Sequence, residues 1–236
     1  MRKIRILQVS FDTEIKPYEL PAFRGAVAHK VGLEHHWFHN HDNENGGTFN
    51  RYPLIQYKLD TYKGQMRPML LCLEQGIEEA QHLFSQPEWS LNIKGTHHDL
   101  RIARLDVKQY TVQVWDRPFE YRLHKWQALG IDNYKEWKNL EGLVAKIQFL
   151  EKRLSNHIIS FASGIDCRLE KPFKVEIIQI KEPEWISFKN IKVLAFTLDF
   201  KTNISMPDYI GLGKGSSRGL GVLRRFPNER TDTGLI

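Results

Sequence analysis

The sequence predicts an α+β protein built from two tandem ferredoxin-like domains, antiparallel sheets with helices on one face, the second domain degenerate. Three observations predict it. The hydrophobic period switches between two and three-to-four residues along the N-terminal part. The resulting element order is strand, helix, hairpin, helix, strand. A second set of strand-like runs then flanks one long helical stripe. Residues 2–11 alternate Ile4, Ile6, Val9 and Phe11, as a strand with one buried face requires. From Tyr18 onward Leu20, Phe23, Val27 and Val31 take helical spacing, with Pro21 suited to the first turn and Gly32 to the end. The stretch from His35 to Gly47 is polar, rich in histidine, and reads as an exposed loop.

Tyr52–Leu59 and Met66–Leu73 form a hairpin across Tyr62-Lys63-Gly64-Gln65, a short helix is expected at Ile77–Phe84, and Trp89–Ile93 returns as a strand. Two helices would then cover one sheet face and leave the other free. A join is expected in Lys94–Leu100, dividing the chain into residues 1–97 and 98–236. The second part opens with strands at Ile102–Trp115 and Phe119–Trp126. It continues with one helix from about Asn133 to Phe161 and strands at Phe173–Ile180 and Ile191–Phe200, then a final hairpin. Trp115, Trp126, Trp137 and Trp185 are expected in the core.

Composition narrows the functional classes. Hydrophobic residues make up 41% of 236, enough for a substantial core. No window approaches the roughly 18 consecutive apolar residues of a membrane helix. The two cysteines, Cys72 and Cys167, offer neither a disulfide framework nor a cysteine zinc site, and a cytoplasmic setting without membrane contact is expected. The net charge of +6 is concentrated at the C-terminal end, where Lys214, Arg218, Arg224, Arg225 and Arg230 face Glu229 alone. A polyanionic partner follows from that distribution.

Within it stands Gly211-Leu-Gly213-Lys214-Gly215-Ser216-Ser217-Arg218-Gly219-Leu-Gly221. No Ser or Thr follows a Gly-Lys pair as in a P-loop, and Ser216 stands where a dinucleotide fingerprint needs its third glycine, so no cofactor is expected. Two readings remain: a loop whose backbone N–H groups, with Lys214 and Arg218, hold a phosphate, or a flexible hairpin tip with solvated charges. The clustered charge favours the first.

This segment resembles the C-terminal glycine-rich loop of the CRISPR repeat-processing endoribonucleases, the sixth family of CRISPR-associated proteins, within the RAMP superfamily. LPAFRGAVAHKVG, FHNH and RYPLIQYK resemble the variant found with type I-B systems. The resemblance implies that the protein binds the stem-loop of a CRISPR repeat and cuts precursor CRISPR RNA at the base of the stem. It also implies contacts from Lys58, Gly211, Gly213, Lys214, Gly215, Ser216, Ser217, Arg218, Gly219, Gly221, Arg224 and Arg225. Other subunits of an interference complex and a second copy of the chain are further partners it admits.

Five of the ten histidines, His29, His35, His36, His39 and His41, fall within thirteen residues. Imidazole both accepts and gives a proton near neutral pH, the two operations that cutting RNA through its own 2′-hydroxyl demands. The family match falls on FHNH and assigns catalysis to His39 and His41 with Tyr52 as a third partner, while His29 and His36 stay rivals. Lys58, with Tyr52, would steady the phosphate charge. Two competing readings are a zinc group formed by His35, His39, His41 and Asp42 and a merely solvated histidine loop. No metal ligand is assigned. The alternatives in function are a non-catalytic repeat-RNA-binding subunit and a metal-dependent nuclease.

Overall fold

The computed structural model describes residues 1–39, 51–187 and 191–226, together with the backbone of 41–42, 47–48 and 188. In chain order the elements are β1 (Arg2–Phe11), α1 (Leu20–Val31), β2 (His41–Asp42), β3 (Gly47–Thr48), β4 (Ile55–Tyr62), β5 (Gln65–Leu73), α2 (Gln75–Phe84), β6 (Ser90–Ile93), β7 (Thr96–Asp99) and β8 (Ile102–Val112). They continue with β9 (Val114–Trp126), α3 (Ile131–Asn139), α4 (Leu143–Gly164), β10 (Val175–Ile180), β11 (Glu184–Phe188), β12 (Ile191–Ile204) and β13 (Val222–Arg225).

The first sheet is antiparallel in the order β4-β5-β1-β8. This is the ferredoxin-like order with α1 and α2 as its two helices. Its fourth strand differs from the expected one. Residues 90–93 pair only with β7 in a small separate hairpin, while β8, expected to open the second part, runs alongside β1 from Arg2↔Val112 to Phe11↔Ile102. The chain passes from the first sheet to the second at Gln113, between β8 and β9.

The second sheet repeats that order as β10-β12-β9-β13, with β11 added beside β12. Helical density lies between its first two strands, in α3 and α4. The single long helix expected from 133 to 161 is broken because Gly142 takes φ 78, a conformation that ends one helix and opens the next. No helix joins β12 to β13, and the glycine-rich segment runs there instead.

One hydrophobic cluster joins Leu7, Val9 and Phe11 of β1 to Leu20, Phe23, Val27 and Val31 of α1 and to Leu83 of α2. The opposite face of the same sheet, expected to stay free, is buried too. Ile4, Ile6, Tyr52, Leu54, Leu71 and Leu73 share a core with Leu150, Leu154, Ile158 and Phe161 of α4 and with Leu212. Trp126 is fully buried as expected, whereas Trp185 is 56% and Trp115 36% exposed. Trp185 sits on the added strand β11, and Trp115 donates its indole N–H to the Ser205 hydroxyl at 2.9 Å. Among the described residues, no helix is long and apolar enough to cross a membrane.

Candidate nucleic-acid interface and histidine site

The segment between β12 and β13 turns through glycines with positive φ, and two of them have no substitute. A Cβ on Gly221 (φ +59) would lie 1.9 Å from the Leu212 carbonyl oxygen, and one on Gly213 (φ +84) would lie 2.7 Å from the Trp126 indole nitrogen. A segment so turned cannot pair its own backbone as a helix does. It takes partners from residues 52–58, at and just before the edge strand β4 of the other sheet. Gly211 N–H donates to Gln56 Oε1 at 2.8 Å, and the Gly211 carbonyl accepts the Tyr52 hydroxyl at 2.9 Å. The Ser216 carbonyl accepts from Lys58 Nζ at 2.7 Å, and the Ser217 carbonyl from the Tyr57 amide at 3.0 Å.

Several expected roles are corrected by this packing. Lys58, Gly211, Ser216 and Gly221 are buried, so they shape the segment and present nothing to a ligand in this arrangement. Desolvation alone lowers the Lys58 amine to about 7. Tyr52, expected as a catalytic partner, is packed against Phe161 with ring centroids 5.3 Å apart and sits tightly on Gly164 of α4. Its hydroxyl also accepts from Gln56 Nε2 at 2.9 Å, and burial pushes its ionisation well up. It works as a bracket between the halves. The accessible part of the segment comprises exposed Lys214 and half-buried Gly213, Gly215, Ser217, Arg218 and Gly219.

Beside it, Arg224 is exposed with its guanidinium 3.9 Å from the Tyr209 ring centroid. Arg225, its neighbour along β13, lies 4.5 Å from the Phe119 centroid. The two arginines therefore serve opposite faces of β13.

The histidines approach from the other side. A tight helical turn, His36–Phe38, buries Phe38, and His39 follows at 7% exposure, so the first residues of the expected exposed loop, through His39, are packed, while Asn40 and 43–46 lie outside the described residues. The His39 ring donates from Nε2 to the Leu33 carbonyl at 2.9 Å and meets His36 edge-on at 5.8 Å. A carbonyl only accepts, so Nε2 carries a proton in this contact. His41 lies in β2, paired with Thr48, and its side chain, like Asn40, lies outside the described residues. His29 is on the exposed face of α1. His97 pairs with Asp99 at 3.0 Å, and His157 accepts the Trp126 indole N–H at 3.1 Å, its own pKa pulled down to about 4 first by burial.

Tyr57 joins the two regions. Its amide holds the Ser217 carbonyl, and its hydroxyl donates to the Phe38 carbonyl at 3.2 Å. Beside it Arg24 donates to the His39 carbonyl, with its guanidinium 6.0 Å from the Tyr57 ring. Burial lowers Arg24 to about 10, and the charge of Arg218 adds to that lowering. Sequence reasoning missed Arg24, Gln56 and Tyr57. The available signals were a cation inside the apolar stripe of α1 and two polar residues, Gln56 and Lys58, alternating with Ile55, Tyr57 and Leu59.

As for cations, the one group among the described residues that brings three ligand side chains together is His35, Glu79 and His82, with ligand atoms within 4.8 Å of one another. It shares only His35 with the zinc group weighed from the sequence, because His39 is turned onto Leu33.

The Cas6b N-terminal domain model matches residues 2–111, and the Cas6b C-terminal domain model matches residues 113–226. A solved Cas6b structure superposes with a TM-score of 0.85 at 23% identity, covering 95% of this chain and all of that one. A second, described as the CRISPR RNA processing endoribonuclease Cas6b, gives 0.70 at 20% identity with the same coverage. An uncharacterised protein of Methanocaldococcus jannaschii is 29% identical over 136 residues, 57% of this chain and 91% of its own length.

Proposed function

The chain belongs to the Cas6b family, and we propose that it is an endoribonuclease that grips the stem-loop of CRISPR repeat RNA and cuts precursor CRISPR RNA at the base of the stem without a metal ion. The relative solved as a CRISPR RNA processing endoribonuclease supports the reaction class. The observation that carries the reading is the double attachment of Tyr57: one residue fastens both the histidine segment, at Phe38, and the glycine-rich segment, at Ser217.

In this reading Lys214, Ser217, Arg218, Arg224 and Arg225, with the open glycine amides, hold the phosphates on one side of the join, and Arg24 and Arg218 raise the positive potential beside His39. His39 takes the proton of the 2′-hydroxyl, the 2′-oxygen bonds to phosphorus, the bond from phosphorus to the 5′-oxygen breaks, and His41 returns a proton to that oxygen. The products are a 2′,3′-cyclic phosphate and a 5′-hydroxyl. The cytoplasm is its place of action, and other subunits of an interference complex or a second copy are its proposed protein partners.

A second reading, a repeat-binding subunit that does not cut, is favoured by the 7% exposure of His39, which requires the segment to open before its ring meets RNA. Incubating labelled repeat RNA with the protein in EDTA separates these readings. Cleavage that stops with a 2′-deoxy nucleotide upstream of the cut, and in H39A and H41A with affinity kept, supports the first. An uncut RNA bound tightly by the wild-type chain supports the second. Cleavage that persists on the deoxy substrate overturns the proposed chemistry.

A further inference from the structure

We propose that His35, Glu79 and His82 form a binding site for a zinc-type divalent cation, which fastens the histidine-bearing segment after α1 onto α2. Glu79 and His82 are three residues apart on α2 and so share one face. Gly32, at φ 102, ends α1 and turns the chain so that His35 comes over that face. The His35 and His82 rings lie 3.8 Å apart between centroids and only 30° from parallel. The ligand atoms of all three residues are within 4.8 Å of one another.

The chemistry of the donors selects the ion. Two imidazole nitrogens and a carboxylate oxygen suit zinc and its late transition-metal neighbours and do not suit magnesium or calcium, which take oxygen shells. Tetrahedral bonds of about 2.0–2.1 Å put ligands about 3.3 Å apart, so the group must contract by up to about 1.5 Å. Rotation of the exposed His82 and the half-buried His35 and Glu79 is enough for that.

The side chains are available for it. Among the described residues, neither the Glu79 carboxylate nor the His82 ring makes a hydrogen bond, and the charge of Glu79 reaches Arg51. The exposed Glu34 carboxylate lies 3.9 Å from His35 Nε2. His39 is four residues beyond His35, so an ion here restrains the entry to the proposed catalytic segment without belonging to the reaction.

The site is tested on the full chain, free of any affinity tag and with no RNA present. Wild-type protein, first stripped with chelator, is dialysed against zinc sulfate, and the bound metal is counted. In parallel, cobalt(II) is titrated and its visible d–d absorption read. One zinc per chain and a tetrahedral cobalt spectrum are expected in the wild type. Removing a ligand is expected to weaken binding by more than about 100-fold in H82A and E79Q, beyond what loss of a mere supporting contact costs. H82A, changed at an exposed side chain, is expected to fold and to cut repeat RNA as the wild type does. A wild type that retains no zinc, or an H82A variant that retains it equally, overturns the site. Neither outcome bears on the cleavage reading, which the deoxy substrate tests.

Discussion

In the first half of the molecule the third and fourth strands are separated by α2, and in the second half the same position is held by the glycine-rich segment. A helix closes its own hydrogen bonds and needs from its surroundings only cover for an apolar face. The glycine-rich segment closes few and takes others from Lys125 and Gln127 at the end of β9 and from Tyr52, Gln56, Tyr57 and Lys58 of the other half. The two halves therefore differ in what makes them stable. One relies on local periodicity, the other on its neighbour. What the second gains is a turn of backbone that carries the exposed Lys214 and the half-buried Arg218.

The contrast can be broken most sharply at Gly221. A methyl group there meets the Leu212 carbonyl at 1.9 Å with φ already at +59, so G221A should cost more than about 3 kcal/mol in denaturant unfolding. At Gly64, a first-half turn glycine with open space around it, alanine should cost only about 1 kcal/mol. Equal losses would show that the second segment is no more constrained than an ordinary hairpin tip. Next in size, Y52F removes the donor to the Gly211 carbonyl and the acceptor for Gln56. A loss of about 1–3 kcal/mol is expected, accompanied by weaker protection of the Gly211 amide in hydrogen exchange.

The pH dependence isolates Lys58. Unfolding returns its amine to water, where it stays protonated to about pH 10, while burial holds the folded value at about 7. Between those values the unfolded chain binds the extra proton, so stability rises with pH, by at most about 1.4 kcal/mol per pH unit. K58M should flatten that slope, and an unchanged slope would mean that the amine is not buried in solution. The smallest stability effect is expected for K214A, within about 0.5 kcal/mol. Its loss should appear instead in RNA binding, as a salt dependence reduced by about one phosphate contact.

The first half was the more legible in sequence because its elements are set by near neighbours. Ile4, Ile6 and Val9 alternate, Leu20, Phe23, Val27 and Val31 recur at helical steps, and the hairpin turns at Lys63-Gly64. Even there the fourth strand was misplaced, since residues 90–93 and 102–112 read alike and only pairing with β1 decides between them. The break at Gly142 was written in the sequence but outweighed by the apolar stripe running across it. The roles of Tyr52, Gln56 and Lys58 were not readable locally. On a free sheet face they would be solvated polar residues, and they become buried anchors only because partners 155 to 159 positions away land on them.

The parallel bridge between Tyr57 and Arg218 lies along the outer edge of the first sheet. An unpaired strand edge is a template for recruiting strands from other molecules. The segment shields that edge. Severed at Gln113, the N-terminal half would expose a bare ladder and the apolar patch that α4 covers in the intact chain. Light scattering during its refolding should register self-association, suppressed when the missing half is supplied as a separate polypeptide.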